Sequence, residues 1–379
     1  MSVPLLDLGR EYAYMKAGID AAIRACLDHQ RWILGPEVGR FEQAAAGYLG
    51  TAHCIGASSG TDALVLALRA LAIKTKGKEY FDKTDAVITT PFTFTATGDA
   101  ILRAGATPLF ADIDPATFNI DPARIEACLS GRPPHLSIVG ILPVHLYGRP
   151  CPMGEIVSIA QARGLFVLED TAQAFGATCG GKKCGATGDA GAFSFFPSKN
   201  LGGFGDAGLV ATNDAELARL VRMLIKHGGK DKYNVEHVGY NARMDTLQAA
   251  VLLEKLPHID DFNARRRRIA ALYDGRLRDL PYIALPSGDT DHVYHQYTIR
   301  VPRGRDALKD HLAKNGIESA VYYPYPLHMM RLFSPSSASA PLYEAEKAAR
   351  EVLSLPMGPL MEDGEAEDVV SALKSFTTG

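Results

Sequence analysis

The chain has 379 residues, of which 47% are hydrophobic and 22% charged, and its formal net charge is −3. This is the balance of a globular protein long enough for two domains and a large core. It offers no basic patch for nucleic acid, and its one dense basic run, Arg265-Arg-Arg-Arg268, falls in a helical pattern and reads as a solvated face.

The N-terminus, Met1-Ser-Val-Pro-Leu-Leu-Asp-Leu8, has neither the basic start nor the long apolar run of a secretory leader. No uncharged apolar run of about 18 residues marks a membrane span. A cytoplasmic protein is expected. The six cysteines (Cys26, Cys54, Cys128, Cys151, Cys179 and Cys184) are scattered, and no second close pair completes a zinc site. They read as reduced thiols, with no metal.

Residues 10–29 form an amphipathic helix, with Tyr12, Met15, Ile19, Ile23 and Leu27 spaced by three and four. Trp32-Ile-Leu-Gly-Pro36 breaks it, and a second helix follows to about Tyr48. In Ala57-Ser-Ser-Gly-Thr-Asp-Ala-Leu64, small hydroxyl and glycine residues open a helix that runs to Leu71. Such a start is either a plain N-cap or an anion site, where Gly60 would let a phosphate approach the backbone. Lys74–Thr84 is a polar surface loop. Strands are expected at Ala86–Thr90, Ala106–Ile113, Ser137–Tyr147 and Leu165–Asp170, with helices beginning near Phe92 and over Glu155–Arg163. This alternation predicts a largely parallel sheet covered on both faces. Asp170 then lies at the C-terminal end of a buried strand, where α/β proteins bind ligands.

The stretch Gly191–Gly208 holds an apolar strand (Ala192–Phe196), Pro197, a lone Lys199, several glycines and a second strand-like run, Leu209–Thr212. Gly203, Gly205 and Gly208 spell a dinucleotide fingerprint but lead into a strand rather than a helix, which argues against that use. The glycines read instead as room for a ligand beside a reactive lysine. Helices follow at Ala215–His227, Thr246–Leu256 and Asp260–Leu277. Then the pattern changes: strand Tyr294–Val301, helix Arg305–Asn315, strand Ile317–Tyr323, and helices near 342–353 and 364–376. This predicts a smaller α+β domain over 251–379 behind a large domain over 1–250.

Together the chain presents a candidate phosphate cup (Ser59, Gly60, Thr61), an aromatic face (Phe94), a strand-end acid (Asp170) and a single lysine after a buried strand (Lys199). Those parts suit pyridoxal 5′-phosphate. A lysine amine captures its aldehyde, an acid keeps its pyridine nitrogen protonated, an aromatic stacks on the ring and donors hold the phosphate. A buried lysine loses proton affinity and becomes available as a base.

Six ordered motifs spanning nearly the whole chain carry a family resemblance: Ser59-Gly-Thr-Asp-Ala-Leu64, Pro91-Phe-Thr-Phe-Thr-Ala-Thr97, Pro143-Val-His-Leu-Tyr-Gly148, Glu169-Asp-Thr-Ala-Gln-Ala-Phe-Gly176, Ser194-Phe-Phe-Pro-Ser-Lys-Asn200 and Asn241-Ala-Arg-Met-Asp-Thr-Leu-Gln-Ala-Ala250. The sequence resembles the DegT/DnrJ/EryC1/StrS sugar aminotransferases, enzymes of the fold type I transferase class. The resemblance implies a mostly parallel seven-stranded sheet in the large domain. By position, Lys199 matches the Schiff-base lysine, Asp170 the pyridinium partner, and Gln173 the contact to the phenolic oxygen. Phe94 matches the aromatic over the ring. Gly60, Thr61 and Ser194 match phosphate contacts. Asn241 matches a residue that reaches the phosphate of the neighbouring subunit, which implies a homodimer with composite sites. Asn241 as a plain helix cap and Phe94 as core are the bland alternatives.

The resemblance further implies ping-pong transfer of an amino group from glutamate, released as 2-oxoglutarate, to a nucleotide-linked keto-sugar for surface-glycan synthesis. Pyridoxamine phosphate carries the amino group between the halves. The motifs look most like enzymes that aminate the 3-keto position of a UDP-N-acetyl-hexuronate, with Arg243 matching an arginine that holds the sugar carboxylate. Tyr322 departs from that subgroup, which tends to have histidine before the tyrosine that Tyr323 matches; both are expected to contact substrate. The Lys74–Thr84 stretch departs as an unusual insertion. A dTDP-3-keto-6-deoxyhexose aminotransferase is the runner-up. A pyridoxal-dependent dehydratase or lyase and a non-catalytic cofactor-binding regulator are the alternatives of other classes.

Overall fold

The computed structural model describes residues 2–287, 291–333 and 341–377. Helix α1 (Leu8–His29) starts where the Asp7 carboxylate accepts from Arg10 N, and α2 (Pro36–Leu49) starts with a proline in its first turn. Strand β1 (His53–Ala57) then leads to α3 (Gly60–Lys76), capped by Ser59. Strands and helices alternate through β2 (Asp85–Thr89), α4 (Thr95–Arg103), β3 (Thr107–Phe110), α5 (Pro122–Ser130), β4 (Ser137–Leu142), α6 (Met153–Gln161) and β5 (Phe166–Asp170). A two-residue-per-arm hairpin, β6 (Thr178–Cys179) and β7 (Lys182–Lys183), precedes β8 (Ala190–Ser194), β9 (Gly208–Thr212) and α7 (Ala215–Leu224). The remainder is α8 (Thr246–Lys255), α9 (Ile259–Leu277), β10 (Tyr297–Arg300), α10 (Arg305–Lys314), α11 (Tyr343–Glu351), β11 (Val352–Leu355) and α12 (Asp363–Ser375).

Seven strands form one sheet in the order β1-β9-β8-β5-β4-β2-β3. Strand β9 runs antiparallel to both its neighbours, and the other contacts are parallel. The period-two alternation of side chains sorts each strand between two layers. Val87 of β2 and Val210 of β9 face the core under α3, α4 and α7. Ala86 and Ile88 face α5 and α6, while Leu209 and Ala211 face α2 and α8. Helix α3 is buried along Ala63–Ala72, so it reads as apolar nearly all round. A second core joins α9, α10 and α12 to the β10–β11 pair, and Val3 from the N-terminus packs into it. Asp112, after β3, accepts from Glu344 N and Ala345 N and so caps α11, whose Ala345, Ala348 and Ala349 pack into the first core. Among the described residues no helix is long and apolar enough to cross a membrane.

The mixed α/β class and the parallel sheet agree with the sequence reading, and several boundaries differ. Residues Lys74–Lys76 continue α3, which ends at Gly77 in the left-handed region, φ 65°. Strand β1 and helix α5 lie in stretches that the periodicity left unassigned. The expected strand at Ile317–Tyr323 makes isolated bridges at Ile317 and Ala320 instead. The expected helix over 342–353 ends at Glu351, because Val352–Leu355 pairs with β10. Pairing with a partner strand overrides the local helical pattern there.

His292 shows what this burial does to a titratable group. Its ring stacks on Tyr294 at 3.9 Å, and its Nδ1 accepts from Tyr294 N. Burial, with a smaller contribution from Arg149, lowers its pKa from the ordinary 6.5 to about 3. The unfolded chain binds this proton below about pH 6.5, whereas the folded chain binds it only near pH 3. The contribution of neutral His292 to stability is therefore full above pH 6.5 and is lost as the pH drops from there towards 3. The His292→Gln variant should show a shallower loss of Tm across that window than the parent, measured by thermal melts at stepped pH.

Candidate active site

The C-terminal ends of β1, β8, β5, β4 and β2 open onto one cavity of about 630 Å³. Parallel strands bring their carboxyl ends to the same edge, so residues distant in sequence meet there. Ser59, Gly60, Thr61, Phe94, Asp170, Gln173, Ser194, Lys199, Tyr322 and Tyr323 all line it. These are ten of the twelve residues singled out from the sequence.

Asp170 ends β5 and is 4% exposed. Its Oδ2 accepts from Thr97 Oγ1 at 2.8 Å and its Oδ1 from Ala172 N at 3.1 Å. The backbone is locked by Asp170 N to Pro143 O and His145 N to Asp170 O. Burial raises its pKa above the ordinary carboxylate value, against the Thr97 and Ala172 bonds and the Lys199 charge. A cation placed beside it would be drawn to it strongly.

The neighbouring acid has a different task. Strand alternation turns Glu169 to the opposite face, fully buried. There it accepts from His145 Nε2 at 3.0 Å and from the backbone of Gly185, Thr187 and Gly188. Burial alone would raise its pKa, but the His145 bond and those N–H groups bring it below the ordinary value. Cys151 N donates to His145 Nδ1, so the imidazole proton sits on Nε2 and points at Glu169. Two adjacent acids thus divide into one that braces the loop under the site and one that faces the cavity.

Lys199 follows the turn after β8, where Lys199 N donates to Phe196 O. Burial lowers its pKa from 10.5 to about 8, against the pull of Asp170. The next residue, Asn200, is 3% exposed and donates to Asn263 Oδ1 and Val293 O, which pins the turn to α9. His295 also borders the cavity. Burial, then the charges of Lys199 and Arg266, hold its pKa well below the ordinary histidine value, so it is neutral.

At the other end, Ser59 Oγ caps α3 by accepting from Asp62 N at 3.0 Å. The first turn of α3 presents its N–H groups and the positive end of the helix dipole to the cavity. The glycines correct the sequence reading. A Cβ on Gly60 would lie 2.5 Å from Ser194 Cβ, and one on Gly208 would overlap the Ser59 carbonyl. Gly202 makes room for the Pro197 carbonyl, and Gly203 and Gly205 for the Gln248 side chain. These glycines let protein segments approach one another, so the space they leave is filled by the chain itself.

Gln173 is fixed from both ends: Oε1 accepts from Tyr147 N at 2.7 Å and Nε2 donates to Tyr323 Oη at 2.9 Å. Tyr147 Oη in turn donates to Tyr322 O. Phe94 is 56% exposed at the cavity wall, with its ring 6.1 Å from that of Tyr323. It is therefore not a core residue. Asn241 and Arg243 are not part of this lining. Arg243 donates to Asn241 Oδ1, and the segment runs behind the cup, with Ser58 N donating to Ala242 O and Ala57 bridging Arg243. Thr97, Tyr147, Glu169, Asn200 and His295 were not singled out from the sequence. The first four lie inside recognised motifs and His295 in the expected strand Tyr294–Val301, but the partner that gives each a task comes from another element.

A buried carboxylate, a helix N-terminus and a lysine of lowered pKa around a cavity of this size fit a phosphate-bearing pyridine aldehyde. The model of the DegT/DnrJ/EryC1/StrS aminotransferase family matches residues 13–374. The chain belongs to this family.

Relatives of this aminotransferase extend over its whole length. It is 44% identical to a pleiotropic regulatory protein of Geobacillus stearothermophilus, over 99% of each chain. It is 42% identical to a dTDP-3-amino-3,4,6-trideoxy-alpha-D-glucose transaminase of Streptomyces venezuelae, over 99% of this chain and 96% of that one. It is also 42% identical to a UDP-N-acetyl-3-dehydro-alpha-D-glucosamine 3-aminotransferase of Acidithiobacillus ferrooxidans, over 100% and 99%. Among solved structures, S. venezuelae DesV in complex with a ketimine intermediate superposes with a TM-score of 0.91 at 41% identity, covering 98% of both chains. NtdA from Bacillus subtilis with bound PMP gives 0.86 at 34% identity, covering 95% of this chain and 81% of that one. The fold is that of the pyridoxal-phosphate aminotransferases, and pyridoxal 5′-phosphate is the cofactor.

With Lys199 as the amine that would capture the aldehyde, uptake of pyridoxal phosphate by cofactor-free protein should speed up as the pH rises and level off above about 8, where the amine is neutral. Stopped-flow absorbance across pH 6–10 (about four units, spanning the ordinary and lowered lysine values) reads this directly. Thr97→Val removes one of the two hydrogen bonds to the Asp170 carboxylate. It should weaken cofactor binding by about 1.5–3 kcal/mol, or one to two decades in Kd, in equilibrium dialysis.

Proposed function

We propose that this aminotransferase moves the amino group of glutamate to the 3-keto carbon of a nucleotide-linked keto-sugar, with a UDP-N-acetyl-hexuronate as the acceptor. The observation that carries the transfer chemistry is the pairing of a lysine at about pKa 8 with a buried acid across one cavity. In this reading Asp170 would hold the pyridine nitrogen, Ser59, Gly60, Thr61 and Ser194 the phosphate, Gln173 the phenolic oxygen, and Phe94 the ring face. Bound there, the cofactor supplies an electron sink for the substrate carbon. Lys199 Nζ, neutral for much of the time near pH 8, takes the proton from Cα of the donor and returns one to C3 of the acceptor. Glutamate leaves as 2-oxoglutarate before the sugar enters.

Asn241 and Arg243 would serve the cavity of a second copy, Asn241 at the phosphate and Arg243 at the sugar carboxylate, in a homodimer with composite sites. Tyr322 and Tyr323, at the cavity wall, would contact the sugar. The 42% identity to a UDP-sugar 3-aminotransferase supports a UDP-linked 3-keto-sugar as the acceptor class, and the uronate rests on the match of Arg243. A dTDP-linked 3-keto-deoxysugar is the second reading, favoured by equal identity to a dTDP-sugar transaminase.

Incubating the holoenzyme with glutamate and a panel of UDP- and dTDP-linked 3-keto-sugars, with product identified by mass spectrometry, tests the assignment. Amination of the uronate should exceed that of the neutral sugars. Arg243→Ala should raise the uronate KM by about tenfold or more, the weight of a charge-assisted pair. Lys199→Ala should abolish turnover, and transfer at the parent rate by that variant would refute the role of Lys199. Preference for a neutral dTDP-sugar would favour the second reading, and product formed without any amino donor would point to a lyase.

A further inference from the structure

Residues 77–84 lie outside the cavity, and the function just proposed gives them no task. Their position is defined by Arg69, a fully buried residue of α3. A buried guanidinium needs a carboxylate and further acceptors. Glu79 supplies the carboxylate: Arg69 Nη2 lies 3.0 Å from Glu79 Oε2, and Arg69 Nε donates to the Glu79 carbonyl. The neighbouring Tyr80 ring covers the guanidinium at 3.6 Å.

The remaining donors of Arg69 go to a different segment. Nη2 donates to Val238 O at 2.9 Å and Nη1 to Tyr240 Oη at 2.6 Å. Glu79 grips the same segment, with Oε1 2.7 Å from His237 Nδ1 and Oε2 accepting from Val238 N at 3.1 Å. The next three residues are Asn241, Ala242 and Arg243. They are laid against the end of α7 by Ala242 N to Ile225 O and against the cup by Ser58 N to Ala242 O.

We infer that Glu79 is a positioning residue: acting through Arg69 and His237, it clamps segment 237–243 and so sets where Asn241 and Arg243 are presented. The insertion is then a specificity element for the acceptor sugar. This consequence rests on the assignment of Arg243 to the sugar carboxylate, whereas the clamp itself rests on the contacts above. With Glu79 gone, Arg69 keeps Val238 O and Tyr240 Oη but loses its charge partner. His237 and the Val238 N–H lose theirs as well.

The test uses the holoenzyme and the Glu79→Ala and Glu79→Gln variants. Hydrogen exchange read by mass spectrometry should speed up over 237–243 in Glu79→Ala, with the strands of the central sheet unchanged. Steady-state kinetics should show the acceptor KM raised about tenfold, within the range by which remote positioning residues act, while the glutamate half-reaction stays within about twofold of the parent rate. Glu79→Gln keeps the shape and loses the charge, so it should fall between. The Glu79→Ala/Arg243→Ala double variant should be no worse than Arg243→Ala alone. Unchanged exchange over 237–243, or a lowered Tm with both KM values intact, would overturn the inference. If Arg243→Ala itself leaves the acceptor KM unaltered, the sugar assignment fails, and the exchange data still judge the clamp.

Discussion

Asp170 is the constraint around which the site is arranged. A carboxylate at the end of a buried central strand can be kept only if donors meet it and a cation is near. Thr97, Ala172 N and the charge of Lys199 meet that requirement from three different elements. The same burial that raises the acid lowers the lysine to about pH 8. One low-dielectric pocket thus produces both halves of the chemistry, an acid that seeks a cation and an amine ready to act as a base.

The pocket keeps its shape because its floor is braced by groups that never face it. Glu169 holds the loop at 185–188 and fixes the tautomer of His145, whose backbone N–H in turn secures the Asp170 carbonyl. Asn200 ties the lysine turn to α9. Gly60 and Gly208 allow β8 and the β9 strand start to close on the α3 N-terminus so tightly that a single methyl would not fit. The cup is therefore a product of backbone packing as much as of its hydroxyl side chains.

Much of this was legible in the residues. The alternation of apolar runs with amphipathic helices marked a parallel sheet, Asp170 stood out at the C-terminal end of a buried strand where α/β proteins bind ligands, and Lys199 stood out as a lone lysine after a buried strand. The α3 cap was readable from Ser59 and Asp62 alone, since capping is local. Less legible was anything that depends on a remote partner. Val352 and Leu353 read as the end of a helix, but pairing with β10 makes them strand. The glycines near Lys199 read as ligand space, yet Gln248 and the Ser59 backbone occupy it. Phe94 was ambiguous between core and cavity wall, and the fold leaves it 56% exposed at the cavity wall.

The fold class, the family and the acid–lysine pair are carried by local patterns, namely periodicity, caps and short motifs in order, and so were readable from the residues. Three features emerge only in the folded chain: Glu169 turns away while Asp170 turns in, Thr97 and Gln173 are already engaged, and Glu79 reaches across to segment 237–243. The physical reason is common to all three. Burial and hydrogen-bond partnership are properties of pairs of segments brought together, and the charge state and orientation of a side chain follow from its neighbours in space rather than in the chain.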